Sequence, residues 1–358
     1  MTVSRILTGP LLYIFLLASP AFGAGQAVNS TNDPATNTAP PEVRFVAAGI
    51  SDARGKLRRA QADVYFYKVT YKELLRAEET QPAAPGQLDD KVEIQAAYWA
   101  YRDPDLAMDI RDIDPFGSLL REKQLLANTG SIRTLFTGYE PVAQGKPPVK
   151  PAVTGLVLPA DQGMRNGLPD GDALMDPRSW AFFENTTPLD RLFLDKREHA
   201  TFQGEDVIDR SRCMKIQLDP NPEERWLYWI DVEHGFVVRR QEVYTYVKGQ
   251  AILSSKQEAL RLSESGGVWL PTVIESRVFF PTAGLPGFPV AAGPSATMTG
   301  VFLIVTISGF RTDLESVPST VFSLAWPPGT AIHDLVTGKN YITGSVPQRK
   351  GNGTGVKP

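Results

Sequence analysis

Arg225-Trp-Leu-Tyr-Trp-Ile-Asp231, Val232-Glu-His-Gly235 and Phe236-Val-Val-Arg-Arg-Gln-Glu242 follow one another without a break. Two runs rich in aromatic and β-branched residues flank a short polar turn closed by Gly235, which adopts positive φ without strain, so the spacing predicts a β-hairpin. The same grammar recurs on both sides. Cys213-Met-Lys-Ile-Gln-Leu218 alternates before the turn Asp219-Pro-Asn-Pro222, and Thr272-Val-Ile-Glu-Ser-Arg-Val-Phe-Phe280 follows the turn at Gly266-Gly267. Repeated two-residue periodicity between turns predicts a large antiparallel sheet.

Earlier in the chain the pattern continues. In Val64 to Tyr71 the odd positions Tyr65, Tyr67, Val69 and Tyr71 share one face, and in Val92 to Ala100 the even positions Val92, Ile94, Ala96 and Tyr98 do the same. Leu106, Met108 and Ile110 alternate with Ala107, Asp109 and Arg111 after an Asp103-Pro104 turn, and Gln124 to Ala127 pairs with Ile132 to Thr137 around Asn128-Thr129-Gly130. Each strand is apolar on one face and polar on the other, so the sheet needs a cover on one side. Three segments are expected to supply it. Val43, Val46, Ala47, Ile50 and Leu57 gather on one helical face, although Gly49 and Gly55 weaken that helix by up to about 1 kcal/mol each. Asp176-Pro177 caps a short helix carrying Trp180 and Phe183, and Leu189, Leu192 and Phe193 suggest another. Val301 to Ile307 is apolar on both sides and reads as a central strand covered on both faces.

Residues 1–27 read as a secretory signal: Arg5, the apolar run Leu11 to Ala18, then Pro20 and small residues. That run is shorter than the roughly 20 residues of a membrane span, so the mature chain is expected in the periplasm or cell envelope with no transmembrane segment. Residues 28–42 form a flexible leader, 43–344 one domain with irregular insertions at 138–175 and 281–300, and 345–358 a disordered tail. Of 358 residues, 42% are hydrophobic and 22% charged, as in a soluble globular protein. Lys+Arg 37 against Asp+Glu 40 gives a net charge of -3, which supplies no field for a nucleic acid. Cys213, the single cysteine, can close no intrachain disulfide and reads as a small buried strand residue.

Chemical motifs are sparse. His199, His234 and His333 stand apart from one another, and His234 reads as a solvated turn residue. No nucleophile elbow, phosphate loop or dinucleotide fingerprint is present. Asp103, Asp105, Asp109, Asp112 and Asp114 follow no EF-hand spacing. No metal, cofactor or catalytic residue is therefore assigned, while a pair of glycosidase-type carboxylates, recognisable only by geometry, stays open.

The hairpin Trp229-Ile-Asp231 to Gly235-Phe-Val-Val-Arg-Arg240, with Gly309-Phe310, Val317-Pro-Ser-Thr-Val-Phe322 and Pro327-Pro-Gly-Thr330 at the end, resembles the lipoprotein-localisation (LolA/LolB-like) superfamily over most of Val43 to Gly344. The resemblance implies an α+β, mainly β fold: a large curved antiparallel sheet, an incomplete barrel around a few helices, whose apolar concavity receives acyl chains. No ligand residue of that family maps onto a position here. The strand faces themselves nominate Tyr65, Tyr67, Tyr98, Met108, Met214, Ile216, Trp226 and Tyr228 as the lining of such a concavity, or equally as packed core. The expected function is a non-catalytic binder or carrier of lipid or of a lipid-modified protein. Two alternatives stand beside it: an envelope sensor binding a protein partner through the same fold, and a hydrolase with unrecognised acids.

Overall fold

The computed structural model describes residues 39–71, 90–128, 130–138, 152–159, 172–184, 187–195, 200–247, 249–281, 297–312, 317 and 319–344. The expected signal segment, most of the expected leader, the expected tail from 345 and much of both expected insertions lie outside them. Helix α1 (Pro41–Lys56) opens the described chain, with proline in the first turn, where its missing N–H leaves no bond unmade. Val43, Val46, Ala47 and Ile50 are buried as the periodicity predicted.

Six strands follow: β1 (Arg59–Thr70), β2 (Lys91–Arg102), β3 (Asp105–Ile113), β4 (Leu119–Ala127), β5 (Ser131–Gly138) and β6 (Ala152–Pro159). Two 3-10 turns, Asp172–Met175 and Pro177–Trp180, lead to a two-rung ribbon of β7 (Phe183–Glu184) and β8 (Thr187–Pro188), and then to α2 (Leu189–Leu194). Asp176 caps the second turn by accepting from the Arg178 N–H at 3.0 Å. A second run comprises β9 (Thr201–Ile208), β10 (Ser211–Asn221), β11 (Glu224–Asp231), β12 (Val237–Val247), β13 (Gln250–Ser265), β14 (Val268–Pro281) and β15 (Thr297–Arg311). A 3-10 turn at Ser319–Phe322, β16 (Ala331–Asp334) and β17 (Lys339–Ile342) close it.

All but β7 and β8 belong to one open, curved sheet of order β17-β16-β6-β5-β4-β3-β2-β1-β15-β14-β13-β12-β11-β10-β9. Every pairing is antiparallel except β16 with β6. The predicted hairpin is β11–β12, with Gly235 at φ 73, and Gly266 and Gly267 both take positive φ between β13 and β14. Strand β15 is central, between β1 and β14, as its apolar run predicted, but only one face is fully covered: Val301, Leu303, Val305 and Ile307 are buried, while Phe302, Ile304 and Thr306 are half-buried.

Three further expectations are corrected. The 138–175 insertion contains a strand, β6, whose Val153 to Leu158 is hidden in sequence by prolines on both sides. The second irregular stretch ends earlier than 300, because β15 starts at Thr297. The sheet is not one-sided over β2–β6. On the face turned away from α1, Ala100, Ala107, Leu126, Leu135 and Val157 are buried, Trp326 lies on Gly155 and the Arg102 guanidinium lies 4.4 Å over the Phe322 ring. A Cβ on residue 155 would come within 2.5 Å of the Trp326 ring, so glycine there is what lets the C-terminal segment lie flat.

The main core lies on the other face. There α1, the 3-10 turns and α2 pack Ile50, Trp180, Phe182, Leu189 and Phe193 against Phe66, Trp99, Met108, Ile216, Tyr228 and Val305. Among the described residues the cover is slight in mass, two helices, two 3-10 turns and the β7–β8 ribbon over a fifteen-stranded sheet.

Candidate functional site

The eight residues expected to line one concavity divide between the two faces of the sheet. Met108, Met214, Ile216, Trp226 and Tyr228 are buried together under the helices, and the register explains it: Met108 lies across from Trp99, Ile216 from Tyr228 and Leu218 from Trp226. Tyr65 and Tyr67, by contrast, are 54% and 41% exposed, and Tyr98 lies across from Asp63 on that same outer face, where it donates to Gln61 Oε1 at 3.0 Å. The face assignment of β1 and β2 is thus reversed. Both faces of β1 carry apolar groups, so alternation alone does not choose between them. The structure buries Ala60, Ala62, Val64 and Phe66, with the Asp172–Met175 turn approaching β1, and leaves Tyr65 and Tyr67 exposed.

Under the helices the five buried residues are tied to their cover. The Phe193 ring meets Tyr228 edge-on at 5.4 Å, and the Tyr228 hydroxyl donates to Glu184 Oε2 at 2.7 Å, an oxygen that also accepts from Gln241 Nε2. The helices are joined by a two-pronged ion pair, Arg54 Nε and Nη2 to the Asp190 carboxylate at 3.2 and 3.0 Å. The apolar face is filled by the chain's own side chains.

A cavity of about 660 Å³ opens at one end of the sheet, where the β9–β10 and β11–β12 turns approach β13–β15. Its polar lining comprises Asp209, Ser211, His234, Arg239 and Arg261, and Trp269, Leu262 and Phe310 supply apolar lining. His234 was expected in solvent. Instead its ring packs edge-on to Trp269 at 4.6 Å, and its Nδ1 lies 3.0 Å from the Asp231 carboxylate and 3.1 Å from Ser211 Oγ. Asp231 is fully buried and accepts from the backbone N–H groups of Glu233 and His234 as well. A proton relay needs serine and carboxylate on opposite ring nitrogens. Here both reach the same one, so the trio holds the turn in shape and does not activate the serine.

Arg239 is 5% exposed. It donates to Asp209 Oδ2 at 3.0 Å, its Nε stands 3.7 Å from Asp231 Oδ2, and that Nε makes no hydrogen bond. Sequence reading missed this cluster because its members come from two hairpins and meet only through a bulge between Trp229 and Ile230 on β11–β12. An arginine inside an apolar strand run was the one available hint.

Elsewhere the acids are engaged. Asp103 pairs with Arg58, Asp105 with Arg102, Asp109 with Arg111 and Asp112 with Arg121, while Asp114 accepts from the Phe116 and Ser118 N–H groups. Among the described residues no three His, Cys, Asp or Glu are placed to hold a metal ion, and no helix is long and apolar enough to cross a membrane.

No protein-family model and no curated protein matches the chain. Solved structures do resemble it. A DUF1329 family protein from Desulfovibrio piger aligns over 79% of this chain and 96% of its own at 12% identity and TM-score 0.41. A putative outer membrane lipoprotein-sorting protein domain from Vibrio parahaemolyticus aligns over 78% and 97% at 8% identity and TM-score 0.41. A LolA superfamily protein from Nitrosomonas europaea aligns over 78% and 97% at 13% identity and TM-score 0.33. At these identities and TM-scores the likeness carries no functional argument, so the sheet is read for function from its own residues.

Proposed function

We propose that this protein is a non-catalytic binder of acyl chains, borne by a lipid or a lipid-modified protein, acting outside the cytoplasm. One observation carries the reading: among the described residues the broad apolar face that holds Met108, Met214, Ile216, Trp226 and Tyr228 is covered by small helical pieces and the two-rung β7–β8 ribbon, not by a second large sheet. Lifting α2 uncovers Leu189, Leu192 and Phe193, about 5–9 kcal/mol of burial at 1.5–3 kcal/mol per side chain. A chain of roughly sixteen carbons returns about 12 kcal/mol at 0.8 kcal/mol per methylene. The guest's gain is of the size needed to offset that loss. The helices thus act as a removable filling, and binding follows shape and length with no need of a polar contact.

The test is direct. Purified protein is extracted for mass spectrometry and separately titrated with a fluorescent fatty-acid probe. The expected result is a released lipid, or saturable probe binding reversed by fatty acid. Leu192→Ala, which lightens the cover, should speed probe uptake. Absence of both lipid and probe binding overturns the proposal.

A further inference from the structure

We infer that the cavity at the turn end of the sheet is a separate binding site for a small organic oxyanion, a carboxylate or phosphate ester carrying one compact apolar arm. Its volume, about 660 Å³, is that of a small-molecule pocket, and its lining is of two kinds. Arg239 and Arg261 line it together with Trp269, Leu262 and Phe310.

Charge accounting identifies the ligand class. Asp231, wholly buried beside Arg239, neutralises that guanidinium and has its own oxygens occupied by the His234 ring and two backbone N–H groups. Arg261 lines the cavity with no carboxylate partner among the described residues. Asp209 is then surplus to Arg239. Its side chain is 65% exposed, yet it reaches in to take the Nη2 proton of Arg239 at 3.0 Å. Asp209 and Arg210 form the two-residue turn between β9 and β10, at φ 48 and 69, the geometry that such a hairpin turn favours and that aspartate tolerates. An exposed carboxylate held on a buried arginine occupies the place that an incoming oxyanion would take. The arginine Nε, buried and without a hydrogen bond, stands 3.7 Å from the buried Asp231 carboxylate, so Nη2 is the donor that the ligand would take over from Asp209. The site is therefore one in which the protein's own Asp209 stands in for the ligand's anionic head until that head displaces it. The Trp269 indole and Phe310 then receive the apolar arm.

The experiment uses the full chain and probes too short to gain from acyl-chain burial, so its outcome is independent of the lipid-binding proposal. Phenyl phosphate is titrated calorimetrically, with benzoate, phenol and inorganic phosphate in parallel. Phenyl phosphate and benzoate should saturate, and phenol and inorganic phosphate should each bind at least tenfold more weakly. Asp209→Asn, which keeps a residue at ease in its turn and removes the competing charge, should tighten phenyl phosphate severalfold. Arg261→Gln should weaken it about tenfold, and Trp269→Leu should weaken phenyl phosphate while leaving inorganic phosphate unchanged. Phenol binding as well as phenyl phosphate, inorganic phosphate matching phenyl phosphate, an Asp209→Asn variant that binds no tighter, or no saturation at millimolar concentration would each overturn the assignment.

Discussion

Gly49 and Gly55 lie on the same helix and make opposite predictions. A Cβ on residue 49 would stand 2.3 Å from the Phe236 ring, which itself sits at φ 56 so as to lie on that bare backbone and meet Phe45 edge-on at 5.4 Å. Gly49→Ala gains up to about 1 kcal/mol of helix propensity and loses about 1–3 kcal/mol to overpacking, so urea midpoints should fall. Nothing lies within 4 Å of a Cβ at residue 55, and Gly55→Ala should raise the midpoint by about 0.5–1 kcal/mol in stability. Cys213 makes a third prediction at this scale. Burial, and then the neighbouring Asp231, push its thiol up to about 12 from 9.0. Less than about one molecule in a thousand carries the thiolate at pH 8, so thiol reagents should label the native protein only as fast as it unfolds. The same raised value sets an alkaline slope. Tyr244, whose hydroxyl is pushed up to about 12 by burial and by donating to Glu242, adds to it. Both groups hold their proton more firmly folded than unfolded. The stability they lend is whole below pH 9 and is lost as pH rises toward 12. Denaturant midpoints should fall over that window, and less steeply in Cys213→Ala.

Among the elements, α1 and α2 are joined by the Arg54–Asp190 pair, with Asp190 nearly buried. Asp190→Asn leaves one guanidinium without its charge partner and should cost about 1–3 kcal/mol. If these helices are the removable filling, the same change should also speed uptake of the fatty-acid probe; a stable variant with unaltered uptake would separate the pair from any such role. The elements also show what could be read from residues alone. The β11–β12 hairpin was plain, because Gly235 falls between two strongly β-forming runs and needs no distant partner. The outward turn of Tyr65 and Tyr67 was not, since Ala60 and Ala62 on the opposite face look unremarkable until the Asp172–Met175 turn is seen to approach. Strand β6 was masked by flanking prolines, and its parallel partner β16 is only four residues long. Arg239, Asp209 and Asp231 meet by tertiary folding, which no spacing in the chain records.

At the scale of the molecule, the fifteen-stranded order separates into two meanders, β1–β6 and β9–β15, each built from neighbours in sequence. Hydrogen exchange should be slowest in β1 and β15, at the centre, and fastest in the outermost strands β9 and β17. The β1–β15 pairing that unites the meanders spans most of the chain, with Val64 across from Ile307, and such a distant closure favours slow folding. The second half does more than dock on one edge. It lays β15 along β1 and β16 along β6, so the first meander is gripped from both flanks like an object in tongs. Severing the polypeptide between β6 and β7 should therefore yield two pieces that stay together when co-expressed and purified through a tag on either one, whereas the first piece made alone, with two bare strand edges, should precipitate.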